Sequence, residues 1–296
     1  MTVLRRPRIS TCLFDLDDAL YENTTMQHHV AENIRRYMVE RLDFPPDEVA
    51  EACADYYLNY GTTLAGLVAN GYKVDYDAWH AAVHGSLPYE EYLQPDPALR
   101  TLLLSIPLPK YVFTNADRTH AARCLQLLGV ADCFERVIAF EDVMEAAEQA
   151  GLTHHGCPVM CKPNRQAFEI ALKMAGSPEP AATLWVDDSA RNITTGHRMG
   201  LYSVLVGRTG VACPSDKQIR HIHDLPAATP WLWEGQQPPA LSPAAPAPLD
   251  GPAAAGSTNA TSQAEAVAGK AAAVAKGAVA ERTSSDEAIE AVYVAA

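Results

Sequence analysis

The chain has 296 residues, with 23 Lys and Arg against 36 Asp and Glu, a formal net charge of −13. That length suits one or two domains with a sizeable core. The acidic balance speaks against non-specific nucleic-acid binding and against an anionic membrane surface, both of which need excess Lys and Arg. No apolar run reaches the ~18–20 residues of a spanning helix. The basic start Met1–Arg8 has no apolar stretch or cleavage site behind it, so it does not read as a secretory signal. Seven cysteines, an odd number scattered through apolar segments, predict reduced thiols in a soluble intracellular protein. Cytoplasm is the default compartment, and the basic start leaves an organellar address open.

In chain order, Thr11–Asp15 reads as a short buried strand. The long interval to residue 110 is helical in pattern. Val30, Ile34, Tyr37, Met38 and Leu42 share one helix face, Pro45 and Pro46 break it, and Asp47–Asn59 resumes. Leu64–Ala69 and Tyr76–Val83 give two shorter helices. Tyr111–Thr114, Val137–Phe140, Thr183–Asp187 and Ser203–Val206 are further apolar strands. Amphipathic segments Arg118–Leu128, Arg165–Ala175 and Ala190–Met199 lie among them, and Asp216–His223 reads as a helical edge. Strand–helix alternation predicts an α/β fold, a doubly wound Rossmann-like parallel sheet. The 18–110 interval is too long for an ordinary crossover. It predicts a small all-helical cap over 21–105, inserted after the first strand into a core of 10–20 and 106–230. From Glu234 the chain turns rich in Ala and Pro, and 234–296 reads as a largely disordered tail. Its Ala-rich stretches Gln263–Ala280 and Ser285–Val294 offer an alternative, a helix that binds a protein partner.

Polar residues gather where the strands end: Asp15 and Asp17 after the first, Thr114 and Asn115 after the second, Asp187 and Asp188 after the fourth. Ligands of open α/β sheets bind outside the carboxyl ends of the strands. Right-handed crossovers place the first strand centrally, between the second and fourth. Four converging carboxylates require raised pKa values or a divalent cation among them. An all-oxygen set with positions left for phosphate suits Mg²⁺. Lys162, just before a helix start, adds the positive charge of an anion clamp. By contrast, His154, His155, Cys157 and Cys161 have the residue types of a zinc site without its spacing, and read as a loop with incidental cysteines.

These residues resemble the haloacid-dehalogenase (HAD) superfamily, whose four motifs appear in order. They are the strand with Asp15-Leu16-Asp17, the strand ending in Thr114, then Lys162, then the acid pair Asp187-Asp188. Three strings, Tyr60–Leu67, His84–Glu90 and Phe113–Ala121, are similar to the helical-capped pyrimidine 5′-nucleotidase branch of yeast and plant type. That resemblance implies Mg²⁺-dependent hydrolysis of nucleoside monophosphates through an aspartyl-phosphate. It implies Asp15 as nucleophile, Asp17 as general acid and base, and Thr114, Asn115 and Lys162 on the phosphate. Mg²⁺ would be held by Asp15, the Asp17 backbone carbonyl, Asp188 and Asp187, the last directly or through water. In the cap, Tyr60 and His84 are candidates for the nucleoside, with Thr62, Thr63 and Tyr89 beside them, and Tyr21 and Glu22 are hinge candidates. The motifs do not encode the leaving group, so a lysophosphatidate or a sugar phosphate is the alternative substrate. Ala19 stands where the family pattern usually has Thr. This departure and the tail motivate a third reading, a non-catalytic HAD-fold regulatory protein.

Overall fold

The computed structural model describes residues 8–154 and 157–234; His155 and nearly all of the 234–296 tail lie outside them. The element order is β1 (Thr11–Phe14), α1 (Thr24–Leu42), α2 (Val49–Tyr60), α3 (Thr63–Ala69), α4 (Tyr76–Val83), α5 (Tyr89–Tyr92), α6 (Pro97–Ser105), β2 (Lys110–Phe113), α7 (Arg118–Leu128), β3 (Arg136–Ile138), α8 (Phe140–Gln149), α9 (Arg165–Met174), β4 (Thr183–Asp187), α10 (Ala190–Arg198), β5 (Tyr202–Leu205), β6 (Lys217–Gln218) and α11 (Leu225–Ala228). Short 3₁₀ turns at Ala131–Cys133, Pro180–Ala182, Ile222–Asp224 and Pro230–Leu232 complete it.

The six strands form one parallel sheet in the order β3-β2-β1-β4-β5-β6. The expected central place of β1 is found: Leu13 pairs with Tyr111 of β2 on one side and Trp185 of β4 on the other. All four residues of β1 and all five of β4 are buried, as strands covered on both faces must be. Under them Phe113, Phe168 and Trp185 pack as a mutual cluster with ring centroids 5.3–5.6 Å apart. Helices α1–α6 all fall between β1 and β2 in the chain. Among these, α2 packs on α3 and α1 on both α2 and α4, while α6 packs against the Ala131–Cys133 and Ile222–Asp224 turns.

Side-chain caps set the helix starts. Asn23, Thr62, Asp75, Asp96, Asp117 and Asn164 each accept a backbone N–H of the first turn. Two expected boundaries move. The strand expected over Val137–Phe140 stops at Ile138. The Asp142 carboxylate accepts the Ala139 N–H at 3.0 Å, so buried Phe140 opens α8 instead of extending the strand. The segment Asp216–His223 is not a helical edge. Lys217 and Gln218 pair with Val204 and Leu205 as the edge strand β6, and a 3₁₀ turn follows. Two residues are too few to show a periodicity. Pro97–Ser105 adds a helix whose start is marked by Asp96 and Pro97.

All seven cysteines are free thiols. Among the described residues no helix is long and apolar enough to cross a membrane.

Candidate active site

β1 ends at Phe14, and the Asp15 N–H continues the ladder to Val186 O at 2.8 Å. The chain then turns sharply, with Asp18 at φ +56°, a left-handed conformation that Asp tolerates better than most side chains. Asp15 and Asp17 are thereby left at the carboxyl edge of the sheet. The Thr114 N–H is anchored to Ile138 O at 3.0 Å, which sets Thr114 at the same edge. A cleft lined by Asp15, Asp17, Thr114, Asn115, Lys162 and Asp188 results, with α1, α2 and the α2–α3 turn above it.

Lys162 is the electrostatic centre. It is 1% exposed, and its Nζ donates to Asp15 Oδ1 at 2.8 Å, Asp187 Oδ2 at 3.0 Å and Phe113 O at 2.9 Å. Burial acts to lower its pKa, but Asp15 and Asp187 outweigh that and hold it above the ordinary lysine value. The Asn115 side chain fixes its main chain from both sides, accepting from Lys162 N at 2.8 Å and donating to Lys162 O at 3.1 Å. The expected Asn115 is therefore at the site, with its side chain spent on positioning Lys162.

The two acids of the fourth motif divide. Asp187 is fully buried and turned inward. Its Oδ1 accepts from Ser189 N at 2.7 Å, and its Oδ2 from Lys162 and from Asn192 Nδ2 at 3.0 Å. Asp188 lines the cleft. Burial, then Asp187 and Asp15, push the Asp188 carboxyl well up. Asp15 is likewise pushed well up, by burial against the opposing pull of Lys162. Ligand oxygens of Asp15, Asp187 and Asp188 lie within 4.8 Å of one another. One lysine facing three carboxylates leaves negative charge uncompensated, and this donor set fits a hard divalent cation.

Asp17 is half-buried and held by two side chains that the spacing of motifs did not single out for it. The Tyr21 hydroxyl donates to Asp17 Oδ1, and His120 Nε2 lies 2.8 Å from the same oxygen. Burial would raise the carboxyl, yet His120 and Tyr21 bring it down to about 2. His120 is raised well above its ordinary value: burial opposes the charge, and Asp17 more than restores it. The two form an ion pair, with Tyr89 Oη 2.8 Å from His120 Nδ1 behind it. Tyr21, expected as a hinge, is thus a partner of Asp17.

The two predicted nucleoside contacts fare differently. Tyr60 is 39% exposed and sets its ring against Tyr56 at 6.3 Å, away from the cleft. Positions 56 and 60 share one face of α2, and Tyr57 on the next face is the tyrosine that lines the site. Tyr57 carries the Arg191 guanidinium over its ring at 5.4 Å, and Arg191 also donates to Tyr57 O. His84 does reach the cleft wall, but is 3% exposed with Nδ1 2.5 Å from Asp117 Oδ2. Ala19 is 3% exposed within the apolar core, so a methyl fills the place where the family pattern has Thr. Cys157 and Cys161 join no cluster of metal-ligand types among the described residues.

The chain is 29% identical over 213 residues to Phosphate metabolism protein 8 of Saccharomyces cerevisiae, an alignment that covers 67% of this chain and 62% of the yeast protein. It therefore spans less than two thirds of that relative. Among solved structures it is similar to the HAD-hydrolase YfnB of Bacillus subtilis, crystallised with magnesium (18% identity, TM-score 0.48, 74% of this chain and 98% of that one). It is also similar to a HAD phosphatase of Thermococcus onnurineus (18% identity, TM-score 0.49, 74% and 97%). Residues 9–200, which contain every side chain of the cleft described above, match the family model of haloacid dehalogenase-like hydrolases, and the chain belongs to that family.

Proposed function

We propose that this hydrolase cleaves phosphate monoesters, with nucleoside monophosphates as its substrates and Asp15 as its nucleophile. The observation that carries this reading is the Asp15–Lys162–Asp187 arrangement. A carboxyl group at the end of the central strand is aimed into the cleft, and a buried ammonium 2.8 Å away opposes the upward push of burial on it. Attack by Asp15 on phosphorus would split one hard displacement into two easier ones through an aspartyl-phosphate. Lys162 would offset the charge that accumulates there, and Thr114 would orient the phosphoryl oxygens. The Asp17–His120 pair, steadied by Tyr21, would keep a proton on His120 that passes through Asp17 to the leaving oxygen, and Asp17 would then take one from water. Mg²⁺ fits the donor set, with Asp15, Asp188 and the Asp17 carbonyl as the groups to hold it and Asp187 behind them. When bound it would supply positive charge to the phosphoryl oxygens.

For the leaving group, Tyr57 and Arg191 offer a flat, charged wall suited to a base and ribose. The name of the yeast relative, which refers to phosphate metabolism, agrees with a phosphate ester. Met26 and Val30 line the same cleft, and this apolar strip favours a second reading, a lysophosphatidate.

The test is phosphate release from UMP, CMP, AMP, GMP, a lysophosphatidate and hexose phosphates, with Mg²⁺ and with EDTA. Turnover led by UMP and CMP, dependent on Mg²⁺ and lowered at least about 10³-fold by Asp15→Asn, is the expected result. Turnover led by the lipid or the sugars would keep the chemistry and overturn the substrate. No turnover from folded protein would overturn the enzyme and favour the regulatory reading.

A further inference from the structure

A second cluster of ligand-type side chains stands beside the cleft and takes no part in the chemistry above. His80 lies in the last turn of α4, His84 caps that helix, and Asp117 caps α7. All three are buried, and their ligand atoms lie within 4.8 Å of one another. The Asp117 carboxylate is divided between two tasks. Its Oδ1 accepts the His120 N–H at 2.9 Å, while Oδ2 faces both imidazoles, 2.5 Å from His84 Nδ1 and 3.5 Å from His80 Nδ1.

His80 is the unexplained member. It is 8% exposed, and neither ring nitrogen has a hydrogen-bond partner. Near it stand the His84 ring, stacked at 5.9 Å, the Phe140 ring at 4.8 Å, and the Asp117 oxygen that it faces without bonding. Buried polar atoms are almost always paired, and an orphan points to a missing water or ion.

We infer that His80, His84 and Asp117 form a binding site for a divalent transition-metal ion of the zinc class, separate from the carboxylate site at the strand ends. Imidazole nitrogens select such ions, whereas an all-oxygen set selects Mg²⁺. Two histidines at i and i+4 on one helix, completed by a carboxylate from elsewhere, present three ligands to one point and leave a fourth position for water. With metal–ligand bonds of about 2.0–2.2 Å, neighbouring tetrahedral ligand atoms lie about 3.3 Å apart. His80 Nδ1 and Asp117 Oδ2 are already near that separation, and His84 needs to withdraw by less than ~1 Å to match it. The bond from Asp117 Oδ1 to the α7 backbone is the outer contact that aims a ligating carboxylate. Because α4 lies in the helical insertion and α7 follows β2, the ion would tie the insertion to the sheet layer, directly behind His120.

The experiment uses the full chain, stripped with chelator and returned to excess Mg²⁺ so that the carboxylate site is filled. Co²⁺ is then titrated in and followed by its visible absorption. The expected result is one equivalent of Co²⁺ with the intense band of a four-coordinate site, displaced by Zn²⁺. His80→Asn should weaken it by more than about 100-fold, since loss of an outer-shell partner alone costs about 10–100-fold. Asp17, His120 and Cys124 form a neighbouring group of ligand types, so Cys124→Ser is the control and should leave the band unchanged. X-ray absorption on the zinc-loaded wild type needs no variant and should show two imidazoles and no sulfur. Absence of Co²⁺ absorption in excess Mg²⁺, a sulfur scatterer, or a band that survives His80→Asn and disappears in Cys124→Ser would overturn the site.

Discussion

Gly61 ends α2 with φ +99°, where the helical insertion comes down on the segment that carries Lys162. A Cβ built there would stand 2.5 Å from Lys162 O, 2.8 Å from Pro163 Cδ and 3.3 Å from Lys162 C. None of these atoms is the end of a flexible side chain. The Lys162 main chain is also held on both sides by Asn115, so it has nowhere to retreat. Gly61→Ala should therefore cost about 1–2 kcal/mol for a Cβ in a left-handed conformation and a further ~1–3 kcal/mol for the contact. Gly71→Ala supplies the comparison: its φ is +89°, but nothing lies within 4 Å of the added carbon. Urea unfolding should place Gly61→Ala about 2–5 kcal/mol below wild type, and Gly71→Ala about 1–2 kcal/mol below, with m unchanged. If the turn instead swings off Lys162, the stability loss shrinks towards the Gly71→Ala value and KM for the phosphate ester rises. Equal losses for the two variants, with KM unchanged in both, would refute the argument that the insertion rests on the Lys162–Pro163 backbone.

Lys162→Met leaves Asp15 and Asp187 buried without their cation and should cost about 3–5 kcal/mol in EDTA, read by urea unfolding; a loss below about 1 kcal/mol would contradict its place at the electrostatic centre. His120→Gln removes the proton that the Asp17–His120 pair holds above the ordinary imidazole value, so the basic limb of the kcat/KM profile should move to lower pH, and an unmoved limb would refute the pairing. In metal-free protein, His80 is lowered to about 4, first by burial and then by His84, against an ordinary 6.5. The unfolded chain therefore takes up a proton that the fold refuses, and stability should fall as pH drops from about 6.5 to about 4, by up to about 3 kcal/mol. Subtracting the same titration of His80→Leu isolates this contribution, and a flat difference would count against it.

The strand ends were legible because a buried parallel strand is a continuous apolar run. Asp15, Thr114 and Asp187 each break such a run at its carboxyl end, where the fold class puts ligands. Lys162 was legible through its place before a helix start. The partners of Asp17 were not. Asp117 followed three residues later by His120 reads as an ordinary helix cap, which it is. That the His120 ring then turns back to Asp17 depends on how α7 packs against the loop after β1, and no local spacing encodes it. Tyr60 and Tyr57 show the same limit at finer grain. Composition placed a tyrosine over the site, but the phase of α2 decided which one. The meeting of the end of α4 with the start of α7, and with it the His80 cluster, rests on contacts between distant segments.

The position of β1 also has a bearing on synthesis. Its four residues are all buried, yet Leu13 finds its neighbours only at Tyr111 and Trp185. On a ribosome moving at about 5–20 residues per second, the first of these is made roughly 5–20 s after Leu13, and the second several seconds later. Through that interval an apolar strand with both hydrogen-bonding edges open waits for its mates while the six helices behind it are being made. Such an edge is a template for foreign strands. The Asp15–Asp18 run that will later carry the chemistry follows it at once, and places charge against aggregation beside that open strand.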